Sequence, residues 1–204
     1  GDIHAIVCNY SGFLSPDEIT EEMLSAYQCI YIEGYLLVNE ELVRTTMQKA
    51  KKLGLKVALD LSNFNIVNAF KGMLEDIIPK YVDILFSNES EAEAFTGQKA
   101  AEAVHTLSEL VEVSLVTLGK EGALIGSHGQ FYSVPAEGGK PVDTTGAGDN
   151  FAAGFLYGQS IGASLVQSAR IGSMLAGYVI DVVGPEIPYD KWEQIKLKVK
   201  GILA

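Results

Sequence analysis

The stretch Val142-Asp143-Thr144-Thr145-Gly146-Ala147-Gly148-Asp149-Asn150-Phe151 carries the most informative pattern in this 204-residue chain. Two glycines and an alanine let the backbone turn sharply and approach a ligand without side-chain clash. An apolar run over residues 151–156 follows at once, so the glycines sit at a helix start. The first amides of a helix have no partner inside it, and the dipole adds roughly 0.3–1 kcal/mol for an anion placed there. The N–H groups of Gly146, Ala147, Gly148 and Asp149 are therefore expected to face an anion. Asp149 falls in the first turn, beside that nest. A carboxylate in this place is arranged to take a proton from an alcohol as its oxygen attacks phosphorus. The plainer reading is that Thr145 or Asp143 caps a core helix while Gly146 and Gly148 make a tight turn. Pattern alone leaves both open. Neither familiar nucleotide fingerprint applies: no G-x-x-x-x-G-K-[ST] occurs, and Phe151 occupies the third glycine position of G-x-G-x-x-G.

Outward from this segment, β-type apolar runs alternate with helical ones. Strands are expected at 3–8, 29–32 (CIYI), 56–61 (KVALDL), 84–87 (ILFS) and 113–118 (VSLVTL). ALIGS and QFYSV, flanking Ser127-His128-Gly129, suggest a hairpin. A helix opens at Ser15-Pro16-Asp17-Glu18, with Ser15 as cap, Pro16 first and Glu18 completing a capping box. The next spans 39–53, with Leu42, Val43, Met47 and Ala50 on one face and Gly54 as its stop. Further helices are expected from beyond residue 61 to about 80, and at 89–96, 100–110, 147–161, 165–182 and 189–203. Strands separated by helices of this length imply βαβ units and a parallel sheet covered on both faces. Ligands of such sheets bind beyond the carboxyl ends of the strands. No repeat, low-complexity segment or linker divides the chain, so residues 1–204 read as one domain.

Composition narrows the function classes. Hydrophobic residues at 48% with 20% charged exclude a disordered chain. A formal charge of −11 supplies no basic stripe for a nucleic-acid backbone. Cys8 and Cys29 lack metal-ligand spacing and read as buried free thiols in a reducing compartment. His4, His105 and His128 are scattered, which argues against a zinc site. No apolar run approaches the roughly 18 residues of a membrane span, and no signal pattern opens the sequence. The expected setting is cytoplasmic and soluble, without membrane or nucleic-acid partners.

The run D-T-T-G-A-G-D-x-F-x-x-G-F, from Asp143 to Phe155, resembles the C-terminal signature of the ribokinase-like (PfkB) carbohydrate kinases. Asn88-Glu89-Ser90-Glu91 is similar to that family's N-x-x-E, and Thr117-Leu118-Gly119-Lys120-Glu121-Gly122 to its T-x-G-x-x-G turn. Y-x-E-G-Y, from Tyr31 to Tyr35, together with D-L-S at 60–62 resembles an adenosine-kinase-like or sugar-kinase branch. The likeness runs from about residue 8 to residue 188. It implies a ribokinase-like three-layer α/β/α sandwich around a mostly parallel sheet, and ATP-dependent phosphoryl transfer to a sugar or nucleoside hydroxyl.

Residue by residue, the resemblance makes Asp149 the catalytic base and Gly146, Ala147 and Gly148 the anion hole. Asn88 and Glu91 would organise Mg²⁺ through water. Thr117, Gly119 and Gly122 would contact nucleotide phosphates, and Ser173 and Ala176 would pack the adenine. Asp143, Thr145 and the region near Gly184 correspond to a monovalent-cation site, K⁺, in several relatives. Family members carry an N-terminal part with a Gly-Gly motif, most acceptor contacts and the lid strands that make many dimers. This chain begins after that region, so it is expected to be a C-terminal fragment, its N-terminal strands and lid missing. Acceptor positioning supplies much of a kinase's rate, so such a fragment can bind nucleotide and still be inactive. The resemblance leaves a homodimer open for the full-length protein, and the sequence itself does not set the oligomeric state.

Two other classes stay open at the level of sequence. A nucleotide-dependent dehydratase that repairs hydrated nicotinamide cofactors shares the fold and a glycine-rich helix start, though N-x-x-E and D-T-T-G-A-G-D favour the kinase. A non-catalytic nucleotide-binding or dimerisation module also fits. Individual residues have plain readings too. Glu91 stands in an acidic, solvated-looking stretch, and Thr117 with Gly119 could be a strand end and turn. Asp60 could touch substrate or phosphate, or cap the next helix. Glu33 and Tyr35 could line the acceptor side or make a structural hydrogen bond. Tyr189 and Trp192 are expected to pack the last helix, and Arg170 to form a surface ion pair. Adenosine and ribose-like sugars are the leading acceptors.

Overall fold

A computed structural model of the chain describes residues 14–138 and 141–204. The strand expected at 3–8, with His4 and Cys8, lies outside the described residues. Six strands form one sheet in the order β1 (Cys29–Glu33), β2 (Lys56–Asp60), β3 (Ile84–Asn88), β4 (Val113–Thr117), β5 (Ala123–Ser127) and β6 (Gln130–Val134). β1 and β2 run parallel with Cys29 opposite Lys56 and Glu33 opposite Asp60; β2 and β3 run parallel with Asp60 opposite Phe86. Every strand expected within the described residues is present, and the architecture is α/β with a mostly parallel sheet. Val57, Ala58 and Leu59 are all fully buried, the unbroken apolar pattern of a strand covered on both faces.

The chain divides into two compact units, one running to Val116 and including Gly126–Phe131, the other formed by Thr117–Ile125 and Tyr132–Ala204. In the first, α1 (Glu21–Leu24) and α2 (Glu40–Lys52) flank β1; α3 (Phe64–Ala69) and α4 (Lys71–Tyr81) lead to β3; α5 (Glu89–Thr96) and α6 (Ala100–Ser108) lead to β4. Asn39 starts α2 by accepting the Leu42 N–H at 3.1 Å, and Leu42, Val43, Thr46, Met47 and Ala50 form its buried stripe. Gly54, at φ +79°, follows its end.

Two helices differ from expectation. The Ser15 capping box forms, but it closes only a 3-10 turn over Pro16–Glu18, because Ile19 turns extended to bury its side chain and Thr20 caps α1 afresh. The single helix expected to about residue 80 is two. Phe70 leaves helical geometry (φ −114°, ψ 20°), yet its N–H still bonds Ile66 and its carbonyl accepts Leu74, so α4 restarts at once.

At the amino ends of the strands, Asp83 is 6% exposed and fully engaged. Both carboxylate oxygens accept from Lys51 Nζ at 2.8 Å, and Oδ2 also accepts the Val57 N–H at 2.7 Å. Its backbone bonds Val57 on β2 and Val113 on β4. The carboxylate thereby joins α2 to β2 and the Asp83 backbone joins β2 to β4, with the charge met by a lysine as burial demands. Cys29 lies in its field. Burial first, and the Asp83 charge second, push that thiol up to about 11. Cys29 is a free thiol, as expected, but it is half-buried rather than buried.

The hairpin expected around Ser127-His128-Gly129 is present, with a two-residue loop between β5 and β6. His128 and Gly129 have φ of +48° and +75°, the left-handed pair of a type I′ turn.

In the second unit, α7 (Ala147–Ser160) and α8 (Leu165–Val179) pack through small residues, followed by α9 (Trp192–Leu203). A Cβ on Gly154 would stand 2.7 Å from the Gly172 Cα, and one on Gly158 2.5 Å from Ser168 Oγ. Met174, Leu175 and Val179 of α8 share a core with Ile195, Val199 and Ile202 of α9. A 3-10 turn over Tyr189–Lys191 precedes α9; Tyr189 is largely exposed, and Trp192 is partly so. Gly154→Ala is therefore expected to lower unfolding free energy by about 1–3 kcal/mol through overpacking. Gly201→Ala on α9, with open space around it, should instead stabilise by about 0.5–1 kcal/mol. Urea denaturation of both variants checks the contrast.

Candidate active site

Candidate site residues occur in both compact units, and each set is built within its own unit. In the first unit, Asn88 ends β3 and caps α5. Its Oδ1 accepts the Glu91 N–H at 3.0 Å, while Glu91 Oε2 accepts the Asn88 N–H at 2.8 Å and Oε1 accepts from Asn88 Nδ2 at 2.6 Å. The N-x-x-E spacing is thus a capping box, which needs a polar cap and an acid exactly three positions apart. Glu91 is 4% exposed, unlike the solvated residue its acidic neighbours suggest. Burial raises its carboxyl to about 7, opposed by the Asn88 amide, with the Asp60 charge adding to the rise.

In the second unit, the turn after β4 depends on two glycines. Gly119 has φ +54° with open space around it, and Gly122 has φ +99°. A Cβ on Gly122 would lie 1.9 Å from the Val134 carbonyl oxygen, so no other residue fits. The Leu118 N–H donates to the Gly122 carbonyl at 2.7 Å, closing the turn behind Thr117.

The helix start of α7 is built as a brace and an opening. Asp143 Oδ1 accepts the Thr145 N–H at 2.9 Å and the Thr145 hydroxyl at 2.7 Å; Oδ2 accepts the Gly184 N–H at 2.9 Å. The Gly184 amide first, then the two Thr145 donors, hold this carboxyl below its ordinary range. Asp143 and Thr145, the expected cation pair, therefore use their side-chain polar atoms to tie the glycine loop to the segment around Gly184. Gly146 has φ +77°, and a Cβ there would meet the Pro185 Cβ at 2.7 Å. Asn150 donates from Nδ2 to the Gly146 carbonyl at 2.9 Å and the Pro185 carbonyl at 3.3 Å.

The Ala147 N–H turns to the Thr144 carbonyl at 3.2 Å, so it is not one of the free amides in this structure. The N–H groups of Gly146, Gly148 and Asp149 have no acceptor among the described residues. Gly148 is exposed, with open space where a Cβ would stand. Asp149 is exposed and makes no ion pair with the described residues. The nest is open at Gly148 and Asp149, while Gly146 lies against Pro185 and Ala147 packs on the core shared by α8 and α9.

Ser173, 5% exposed, donates from Oγ to the Pro135 carbonyl at 2.8 Å and accepts the Glu137 N–H at 3.1 Å. It fastens the chain after β6 to α8, and half-buried Ala176 lies three residues on. A cavity of about 400 Å³ on the neighbouring face of α8 is lined by Met174, Gly177, Tyr178, Asp181 and, across from them, Lys191 and Lys198; neither Ser173 nor Ala176 lines it. Among the described residues no cluster of three His, Cys, Asp or Glu could hold a metal, and no helix is long and apolar enough to cross a membrane. The roles of Asn150 and Pro185 come from contact across the second unit, for which the sequence carries no spacing signal.

The Glu91 shift has a measurable consequence. Between pH 4.5 and about 7 the folded chain keeps a proton that the unfolded chain has released, so this carboxyl makes stability fall as pH rises through that window. Glu91→Gln retains the capping acceptor and removes the titration. Its stability relative to the natural chain should rise from pH 5 to pH 8 in thermal melts. Superimposable pH profiles would contradict the assignment.

The geometry can be set beside known proteins. The model of the pfkB family of carbohydrate kinases matches residues 7–192, across both units. Adenosine kinase of Saccharomyces cerevisiae is 32% identical over 198 residues, covering 89% of this chain and 58% of the yeast protein. A probable sugar kinase from Rhizobium etli superposes with a TM-score of 0.86 at 31% identity, covering 93% of this chain and 58% of that one. Adenosine kinase from Sinorhizobium meliloti gives 0.85 at 29% identity, with 91% and 58% covered. The chain thus spans 58% of the length of these relatives. Their shared fold is the ribokinase-like one, and the chain belongs to the pfkB family of carbohydrate kinases.

Proposed function

We propose that this chain is the nucleotide-binding and catalytic part of a longer kinase that moves the γ-phosphoryl group of ATP to a hydroxyl of a sugar or nucleoside. The observation that carries this reading is the exposed carboxylate of Asp149 in the first turn of α7, directly after an uncovered Gly148. The open amides of Gly146, Gly148 and Asp149 suit a phosphoryl group whose charge develops in transfer. The acceptor oxygen attacks the γ-phosphorus, its proton passes to Asp149, and ADP leaves with the electrons of the broken P–O bond.

Exposed Asn88, with the box-locked Glu91 behind it, is proposed to organise Mg²⁺ through water; both Glu91 oxygens accept from Asn88, so the pair would act through the Asn88 side chain. A divalent cation supplies neutralisation of phosphate charge. Thr117, Gly119 and Gly122 are proposed to approach the nucleotide phosphates, and Ser173 and Ala176 to flank the adenine. Adenosine and ribose-like sugars are the proposed acceptors, and a cytoplasmic homodimer the proposed form of the full protein. N-x-x-E, present as a closed capping box of exposed Asn88 and buried Glu91, favours kinase over dehydratase chemistry.

In the full-length kinase, Asp149→Ala is expected to lower kcat by about 10²–10⁴, the usual worth of a general base. ATP affinity measured by calorimetry should change little. Natural-like turnover of that variant with a competent acceptor would remove Asp149 from the mechanism.

A further inference from the structure

A hydrogen-bonded knot joins the carboxyl ends of β1 and β2 in the first unit. Tyr31, buried on β1, donates from its hydroxyl to Asp60 Oδ2 at 3.1 Å. Asp60 Oδ1 accepts the Ser62 N–H at 2.7 Å. The Ser62 hydroxyl accepts the Gly34 N–H at 2.7 Å and lies 3.4 Å from the Asp60 carbonyl, to which it donates. Gly34 opens the 3-10 turn Gly34–Val38, and a Cβ on it would stand 2.7 Å from the Leu61 carbonyl oxygen. The loops after the two strands are therefore pressed together, with no room for a side chain between them.

Ser62 has φ +61°, one of two non-glycine residues among those described with positive φ; the other is His128, at the hairpin tip. Glycine would adopt this geometry without strain, but it would lack the hydroxyl that receives Gly34. A non-glycine residue persists in such a conformation when its surroundings over-determine it, commonly at ligand sites. Beyond the knot, the chain carries two exposed aromatic residues, Tyr35 immediately after Gly34 and Phe64 two residues after Ser62. The knot also shares its sheet edge with Asn88 and Glu91 at the end of β3.

We propose that Tyr31 and Ser62 are positioning residues for the acceptor: through Asp60 and Gly34 they fix the 3-10 turn that bears Tyr35 and the start of α3 that bears Phe64 against the sugar or nucleoside. Tyr31 holds the carboxylate, the carboxylate holds the Ser62 amide, and the Ser62 hydroxyl holds the entry of the next turn. This deepens, and rests on, the kinase reading.

The test uses the full-length kinase, with adenosine and D-ribose as acceptors. Tyr31→Phe and Ser62→Gly are compared with the natural protein. Either variant should raise the acceptor KM about tenfold, with the ATP KM within about twofold. In Ser62→Gly, the Gly34 amide should also exchange hydrogen faster while the core of β2 stays protected. Unchanged acceptor KM in a folded variant, or an equal rise in both KM values, overturns the positioning role. Should Tyr31→Phe fail to fold, Ser62→Gly decides alone, since glycine accepts this φ. A folded natural protein that consumes no ATP with either acceptor overturns the kinase reading itself, a result visible before any variant is made.

Discussion

A helix cannot satisfy its own first amides, and α7 begins with residues too small to cover them. That limitation of hydrogen-bonding geometry makes the segment from Asp143 to Asp149 usable as an anion site. The surrounding contacts keep it in shape. Asp143 spends both oxygens on Thr145 and Gly184, Pro185 fills the space where Gly146 lacks a side chain, and Asn150 bonds both carbonyls. Polar atoms near the nest are committed to holding backbone, and its mouth is left to Gly148 and Asp149.

The same division recurs in the first unit. Glu91 is costly to bury as an anion, and its capping box with Asn88 fixes both partners before any ligand arrives. At the opposite ends of the strands, Asp83 is buried against Lys51 with every oxygen engaged, a role purely of construction. Of the two buried acids flanking β3, Asp83 meets a cation at close range and Glu91 meets the amides of Asn88.

Much of this was legible in the sequence. The strand runs, the α2 stripe of Leu42, Val43, Met47 and Ala50, and the Ser127-His128-Gly129 turn are local patterns with local causes, and they were read within a residue or two. The glycine-rich start of α7 was legible because only glycine tolerates both positive φ and a neighbour 2.7 Å away. What escaped depends on contacts distant along the chain. Periodicity could not see that Ile19 would bury its side chain and split the first helix, or that Phe70 would interrupt the third. The pairing of Asn150 with Pro185 spans 35 residues and leaves no sequence spacing to find. Ala147 was counted among the open amides, yet a turn to Thr144 takes its proton. Burial of Glu91 was masked by Glu89 and Glu93 on either side, since an acidic run looks solvated until the fold turns one member inward.

Cys29 illustrates how the placement of a charge reaches a residue that does no chemistry. Nucleophilic attack by cysteine requires the thiolate, and with a value near 11 only on the order of one molecule in a thousand would carry it at pH 8. Maleimides and iodoacetamide should pass this sulfur by while the fold is intact and reach it once the sheet opens. The side chain is thus a built-in chemical reporter of unfolding at the β1 end of the sheet.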